Sequence, residues 1–334
     1  MTASQLRNVS TPAILIASLV VLAGLSLAAG GAMPQVATEM MIRVMIVVGL
    51  YVFIGNSGVL SFAHVGFVSI GAYAAAWFTC CTLPMVKPLY LPGLPEALQQ
   101  TSYPLWVGLL SAAAVSGGVA ALVGILVVRL NGIAASIATF AFLAIVFAVY
   151  SNWESVTGGT ASISNIPVEV GPMLATVGAA GAVLVAFAFQ VSRFGLMLKA
   201  SRDEGVAAKS CGINIGLVRY AAWVISAMIA GVAGAFYSSY MGILSVDAFY
   251  MHMTFLVLAM LIVGGMQSLS GAVIGTVVLT AVTEILRLLE NGEGLLQLPK
   301  GLQEVGLGAV MMLILILRPK GLMNGRDLAL PLRD

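Results

Sequence analysis

Charged side chains are scarce in this chain of 334 residues. Asp, Glu, Lys and Arg make up 8% of it, whereas about 25% is usual in soluble domains. So few charges cannot cover a water-soluble surface, which excludes a soluble enzyme or a soluble binding protein. Apolar residues instead make up 60% of the chain, so most of its surface is expected to face lipid.

Cysteine and histidine are also rare, with three and two copies. Cys80 and Cys81 are adjacent and Cys211 stands apart, so the sequence predicts neither a disulfide framework nor a Cys-x-x-Cys metal site. The net charge of +2 comes without a basic run, so no nucleic-acid partner is expected. The sequence has no G-x-x-x-x-G-K-[ST] loop, so we expect no ATP site, no cofactor and no metal on this chain.

Long apolar runs take the place of the missing charges. They predict an all-α fold, a polytopic transmembrane helical bundle that forms a single domain over residues 1–334. The ten predicted membrane segments, each without charge at its centre, are residues 13–32, 40–55, 57–79, 105–128, 133–150, 172–190, 219–240, 253–265, 269–287 and 303–318. Those at 40–55 and 253–265 are short for a full span, as are broken helices that line transport paths. The run at 13–32 exceeds the ~15 residues of a signal-peptide core, so we expect it to be retained.

Positive charges gather at alternate ends of these segments. One set of ends holds 11 of the 15 Lys and Arg: Arg7, Arg129, Arg193, Lys199, Arg202, Lys209, Arg219, Arg318, Lys320, Arg326 and Arg333. The positive-inside rule therefore predicts that both termini are cytoplasmic, which requires an even number of spans and agrees with ten. Arg43, near the outer end of its segment, is expected to snorkel outward.

The longest internal loop, residues 191–219, is amphipathic and rich in charge. It holds five Lys or Arg together with Asp203 and Glu204, and small residues such as Gly205 and Ala208 that permit close docking. A small-residue helix of this kind suits the groove of a partner protein. A solvated connector that only fixes the topology is the alternative, and the residues alone favour neither.

Five stretches of the sequence carry a family resemblance. They are RFGLMLKASRDEGVAAKSCGIN (193–214), GNSGVLSFAHVGFVSIGAYAAA (55–76), RLNGIAASIATFAF (129–142) with VTGGTASISNIP (156–167), GGMQSLSGAVIG (264–275) and RPKGL (318–322). Together they resemble the LivM-type permease subunits of bacterial ABC importers for branched-chain amino acids, a family that also includes urea and amide permeases. The resemblance covers most of the chain from about residue 40 onward.

The resemblance implies a transport subunit of the bacterial inner membrane, and not an enzyme. It implies four kinds of neighbour: a second, homologous permease, two cytoplasmic ATPase subunits that bind ATP and Mg²⁺, a periplasmic substrate-binding protein, and the lipid bilayer. The loop 191–219 would then be the cytoplasmic coupling loop on which the ATPases act.

Seven loop residues are implied by the resemblance to contact the ATPase. They are Arg193, Gly195, Arg202, Glu204, Ala207, Ala208 and Gly212. Arg202 is suited to pair with an acid on the ATPase. For Glu204, stabilisation of a helix start through the helix dipole is the alternative role.

Nine residues are candidates for the translocation path: Gly55, Gly58, Ser61, His64, Gly71, Tyr73, Thr157, Gly158 and Gly159. His64 lies roughly 10 Å into its segment, where an ionisable group suggests function. The alternative is a neutral imidazole bonded to a neighbouring helix carbonyl. Gly55 and Gly58 favour a helix break, and Gly71 favours helix packing. Thr157 to Gly159 suit either an amide nest for a carboxylate or an ordinary turn.

Three functions compete on these grounds. The first is an ATP-driven importer subunit for branched-chain or related hydrophobic amino acids, with urea, short amides and other small carboxylates as alternative substrates. A gradient-driven carrier is disfavoured, because none of the 13 Asp and Glu falls at a segment centre. A membrane enzyme is disfavoured because no His-Glu-x-x-His motif or paired carboxylates occur in a span.

Overall fold

The computed structural model describes residues 3–81, 86–290 and 301–328, which form a bundle of helices. Its ten long helices are Ala3–Ala29 (α1), Met33–Ser57 (α2), His64–Thr79 (α3), Leu105–Val127 (α6), Gly132–Asn152 (α7), Pro172–Val191 (α9), Ile215–Met241 (α12), Met251–Gly264 (α13), Leu269–Glu290 (α14) and Leu302–Leu317 (α15). The connections contain the shorter helices Lys87–Tyr90 (α4), Glu96–Gln99 (α5), Glu154–Thr157 (α8), Arg193–Asp203 (α10) and Gly205–Ser210 (α11), and a 3-10 helix at Val246–Phe249.

Each of the ten predicted segments falls on one long helix, so the predicted fold class is confirmed. Eight of the described helices are long and apolar enough to cross a membrane. The helices α3 and α15 are shorter, at 16 residues each. The segment predicted to be short at 253–265 is the 14-residue α13, which counts among the eight only together with the preceding 3-10 helix, over Val246–Gly264.

Two predicted bounds are wrong. The segment at 40–55 is not short, because α2 runs for 25 residues from Met33 to Ser57. Glu39 and Arg43 interrupt the apolar run in the sequence, but they lie one turn apart and pair with each other, so the helix continues through them. The segment at 57–79 was placed too early, since residues 58–63 are non-helical and α3 begins at His64.

The helices run between two faces of the bundle, which we name by their loops. The loop face carries α10 and α11, and the cap face carries residues 86–104 and 153–171. On the loop face, the amide of Leu322 donates to the carbonyl of Val263 over 2.8 Å, and Thr11 near the start of α1 donates to the carbonyl of Leu328 over 2.7 Å. Both described ends of the chain therefore lie on the loop face, as ten passes require.

Helices α2 and α12 form the centre of the bundle, and α2 is buried along nearly all its length from Ala37 onward. Glycines let the neighbouring helices approach closely. A Cβ atom on Gly71 of α3 would overlap the carbonyl group of Gly231 in α12, and one on Gly234 would overlap the carbonyl of Val68. The backbones of α3 and α12 are thus in direct contact, which is the close packing that small residues permit between membrane helices.

Replacing Gly71 by alanine is expected to force α3 and α12 apart. We predict that Gly71→Ala lowers the free energy of unfolding by about 1–3 kcal/mol, as overpacking of a dense core does. Thermal unfolding of the detergent-solubilised protein measures the change. The matched control is Gly118→Ala on α6, where a Cβ meets no heavy atom within 4 Å. Equal melting temperatures for the two variants would contradict the close crossing.

The cap face is closed by loop-to-helix contacts. The indole Nε1 of Trp77 donates to the carbonyl of Val156 over 2.9 Å, and the amide of Gly93 donates to the carbonyl of Ser155 over 2.7 Å. At the end of α3, Cys80 and Cys81 are joined in a disulfide between adjacent residues. The spacing of the cysteines predicted no disulfide framework, and the bond between these two neighbours was not predicted. It lies where Cys81 adopts a left-handed backbone conformation, with φ of 69°.

The ammonium group of Lys87 is buried in this cap. The residue is 0% exposed, and its Nζ donates to the carbonyl of Thr101 over 3.0 Å. Burial disfavours the charged form and lowers the pKa of Lys87 from 10.5 to about 8. Between these two pH values the unfolded chain therefore binds a proton that the folded chain has lost.

The stability of the protein is therefore expected to rise with pH between about 8 and 10.5. Below a pH of about 8, Lys87 is charged in both states, so the folded protein bears the full free-energy cost of burying that charge. We predict that Lys87→Met raises the free energy of unfolding at pH 7 by on the order of 1–3 kcal/mol and removes this dependence. Melting temperatures of both proteins at pH 7, 8 and 9 measure it. A wild-type slope that persists in Lys87→Met would assign the titration to another group.

Candidate functional site at the loop face

Helix α2 ends abruptly at the loop face. Gly58 adopts a left-handed conformation with φ of 71°, and its amide closes the helix on the carbonyl of Ile54 over 2.9 Å. In the non-helical stretch that follows, side chains accept the backbone amides. Ser57 Oγ accepts from Val59 over 3.2 Å, and Thr139 Oγ1 accepts from Phe62 over 3.2 Å. The break predicted at Gly55–Gly58 is thus present, with the turn at Gly58 and with Gly55 still helical.

Arg202 of α10 completes this helix end. Its Nη1 donates to the carbonyl of Gly55 over 2.7 Å, which supplies a donor to one of the acceptors that every helix leaves at its C-terminus. Asp203 holds the other side of the guanidinium, with Oδ1 at 3.0 Å from Nε and 2.9 Å from Nη2. A Cβ atom at Gly58 would lie 2.8 Å from Cγ of Arg202, so the glycine also makes room for the arginine.

A tight corner fixes α10 against the end of α9. The Ser192 side chain caps α10 by accepting from the amide of Gly195 over 3.2 Å. A Cβ on Gly195 would overlap the carbonyl group of Phe189, so only glycine fits this corner. Gly195 therefore sets the angle at which the loop leaves the bundle.

The other coupling-loop candidates lie mainly on the outside of the loop. Arg193, Glu204, Ala207 and Gly212 are exposed, whereas Ala208 is buried against the bundle. Large apolar side chains are exposed beside them, namely Phe194, Leu196 and Val206, of which Val206 is 74% exposed. The Glu204 side chain makes no capping hydrogen bond at the start of α11. The seven predicted residues thus divide into internal ones, Gly195, Arg202 and Ala208, and the four exposed ones.

A second polar connection on this face was missed by the sequence analysis. Tyr51 of α2 donates its hydroxyl to Gln190 Oε1 over 2.8 Å, and Gln190 Nε2 donates to Asp327 Oδ2 over 2.9 Å. The other oxygen of Asp327 accepts from the amide of Ser270 over 3.1 Å, in the first turn of α14. The segment after α15 therefore joins α2, α9 and α14.

Charged groups of α10 lie close to this connection. Burial lowers the pKa of Lys199 in α10, and the nearby carboxylate of Asp327 opposes that shift. Lys199 and Arg202 thus bring two cations of the loop close to Asp327 and to the end of α2. Hydrogen bonds and charged groups thus connect α10, the end of α2 and the segment after α15 on the loop face.

His64, at the start of α3, is 1% exposed and bonded at both ring nitrogens. Nδ1 lies 3.2 Å from Ser61 Oγ and Nε2 lies 3.0 Å from Ser226 Oγ, while the rings of Phe53 and Trp223 pack around it. The partners are hydroxyl groups, not the helix carbonyl that the alternative interpretation expected. Ser61 and His64 form one buried pair beside the α2 break.

The remaining path candidates lie apart from this pair. Gly71 is at the crossing with α12, and Tyr73 packs edge-on against Tyr150 with ring centroids 5.0 Å apart. Among the described residues the buried hydroxyl of Tyr73 has no hydrogen-bond partner. On the cap face the amide of Gly158 donates to Glu154 and that of Gly159 to Thr157 Oγ1, so both serve the turn itself. A role of these nine residues in transport stays a prediction.

Eight described helices that are long and apolar enough to cross a membrane, with a polar helical loop on one face, define a multi-pass membrane protein. Residues 32–315 match the family model described as branched-chain amino acid transport system / permease component. The chain therefore belongs to the family of permease components of branched-chain amino acid transport systems.

Two curated relatives illustrate the similarity. The high-affinity branched-chain amino acid transport system permease protein LivM of Salmonella typhimurium is 28% identical over 323 residues, which cover 86% of this chain and 69% of the relative. The protein of the same name from Escherichia coli is 27% identical over the same extents. No solved structure gives a significant match.

Removing the Arg202 guanidinium is expected to leave the buried carbonyl of Gly55 without its donor. We predict that Arg202→Gln lowers the free energy of unfolding by about 1–3 kcal/mol, the cost of an unsatisfied buried acceptor. Thermal unfolding of the purified chain measures the loss. Arg193→Gln removes the same charge from an exposed position of the same helix and is expected to change little. Similar losses in both variants would show that charge, and not the cap on α2, is responsible.

Proposed function

We propose that this chain is one of two homologous permease subunits of an ATP-driven importer that carries branched-chain or related hydrophobic amino acids across the bacterial inner membrane. In this proposal a periplasmic binding protein delivers the substrate to the cap face. Two cytoplasmic ATPase subunits bind ATP and Mg²⁺ and act on the loop face, so both termini are cytoplasmic. The proposal rests on the family and on the names of its relatives.

The observation that carries the ATPase part of the proposal is the exposed surface of the coupling loop. Val206 and Ala207 of α11 are exposed on a helix that lies on the most cationic face of the chain. Phe194 and Leu196 of α10 add further exposed apolar side chains to the same loop, and a patch of exposed apolar side chains is typical of a protein contact site. The predicted ATPase contact fits the four exposed residues of the motif better than the buried ones.

A charged cavity lies beside this surface. It has a volume of about 540 Å³ and is lined by Glu204, Val206 and Lys209 of the loop and by Arg129 and Arg219 of the neighbouring helix ends. Three cations against one carboxylate favour an acidic partner group, because complementary charge guides protein association. We therefore place the docking site of the ATPase at α11 and this cavity.

Coupling then follows from Arg202. Since α10 and α11 are joined by a single residue, Glu204, a displacement of α11 by the ATPase also displaces α10. Through its hydrogen bond to the carbonyl of Gly55, Arg202 transmits this displacement to the end of α2 and to the non-helical stretch before α3. The arginine in this scheme is a positioning residue within the permease rather than a contact of the ATPase.

Assembly tests the proposal. We predict that the tagged chain, solubilised from its native membrane, co-purifies with an ATPase and a second permease, and that Val206→Asp loses the ATPase. Val168→Asp is the matched control, because Val168 is 66% exposed on the cap face. It is expected to retain the ATPase.

Reconstitution separates the importer from the alternatives. Uptake of leucine into liposomes that requires ATP and the binding protein is the expected result, and uptake of urea or short amides in its place would change the substrate class. If the chain purifies alone and moves substrate without ATP, a gradient-driven carrier replaces the importer.

A further inference from the structure

A cavity opens near the cap face between α2, α12 and α13. Its volume is about 290 Å³. Glu39, Arg43 and His252 supply polar groups to its wall, and Ile46, Leu256 and Val257 supply an aliphatic floor. A charged wall and an aliphatic floor in one small cavity are the features of a site for a small amphipathic ligand.

The charged pair lies well inside a membrane helix. At about 1.5 Å per residue, Glu39 is roughly 9 Å and Arg43 roughly 15 Å from the start of α2 at Met33. Charged side chains within an apolar membrane helix are costly, and they commonly face a water-filled cavity that carries a substrate. Both side chains line this cavity and they pair with each other, with 34% of Glu39 and 17% of Arg43 exposed.

We propose that this cavity binds the α-ammonium and α-carboxylate groups of a neutral aliphatic amino acid. The carboxylate of the ligand pairs with the guanidinium of Arg43, and its ammonium group pairs with the carboxylate of Glu39, so that two ion pairs replace one. The aliphatic side chain of the ligand lies on the floor formed by Ile46, Leu256 and Val257. The site deepens the proposed function and rests on it, since it places the transported substrate on the cap side of the bundle.

The charge balance of the cavity selects a zwitterion. A simple anion at Arg43 would leave Glu39 without a cation, and a simple cation at Glu39 would leave Arg43 without an anion. A partly buried charge that loses its partner is costly. The Glu39–Arg43 pair itself avoids this cost in the structure. A volume of about 290 Å³ also limits the ligand to a single amino acid rather than a peptide.

Cysteine protection tests the site by a readout that does not depend on transport. His252 is exposed at the wall of the cavity and is replaced by cysteine in a Cys211→Ser background, in the assembled transporter. L-leucine is expected to slow labelling of this cysteine by a membrane-impermeant maleimide at least five-fold. The amine 3-methylbutylamine and the acid 4-methylpentanoate, which each lack one charge of leucine, are expected to give no protection.

Variants of the pair decide whether it binds the ligand or only holds the helix. Glu39→Gln and Arg43→Gln are each expected to abolish protection by leucine. The exchanged variant, Glu39→Arg with Arg43→Glu, keeps an i,i+4 ion pair and so preserves the fold, yet it is expected to lose protection as well. Glu284→Gln, which breaks the ion pair with Arg287 on α14 outside this cavity, is the matched control and should retain it.

The outcomes separate this proposal from the proposed function. Full protection in the exchanged variant, or no protection of the cysteine at position 252 in an otherwise unchanged complex that imports leucine with ATP, overturns the site and leaves the importer. If leucine protects the cysteine in a complex that imports no leucine, the site stands and the proposed importer is overturned. Equal protection by leucine and by 4-methylpentanoate would overturn the assignment of a zwitterion.

Discussion

A helix that ends within a membrane protein leaves backbone carbonyls that lipid cannot satisfy, and this constraint shapes the loop face. Helix α2 is buried along most of its length and ends at Gly58, directly before the non-helical stretch that leads into α3. The chain supplies the missing donor from a distant place, the guanidinium of Arg202, 147 residues further on. Because that arginine belongs to the loop 191–219, it joins the loop directly to the break.

Close contact between helices determines how a displacement at the end of α2 is transmitted. The backbones of α3 and α12 meet at Gly71 and Gly234, where no side chain can yield to a displacement. A shift at the end of α2 is therefore passed to its neighbours rather than absorbed. The Gln190–Asp327 connection joins α2 to α9 and α14 on the same face.

The sequence was sufficient for those features that depend on local pattern. Apolar runs and alternating charge predicted ten helices and their two faces, and the glycine at 58 marked the break, since these signals lie within single segments. The predicted bounds of α2 were wrong because Glu39 and Arg43, two charges within an apolar run, resemble a helix boundary. Their pairing and the cavity that they line are visible only in the fold. The internal role of Arg202 and the whole Asp327 connection could not be predicted, since each depends on residues that meet only in the fold.

Hydrogen exchange of the assembled transporter tests most directly whether the loop 191–219 and the α2 break move together. Amide exchange is compared with and without a non-hydrolysable ATP analogue, in peptides that cover residues 55–63 and 193–204. Both regions are expected to change together in the wild type, and only the loop is expected to respond in Arg202→Gln. A wild-type complex in which residues 193–204 change while residues 55–63 do not would contradict this expectation.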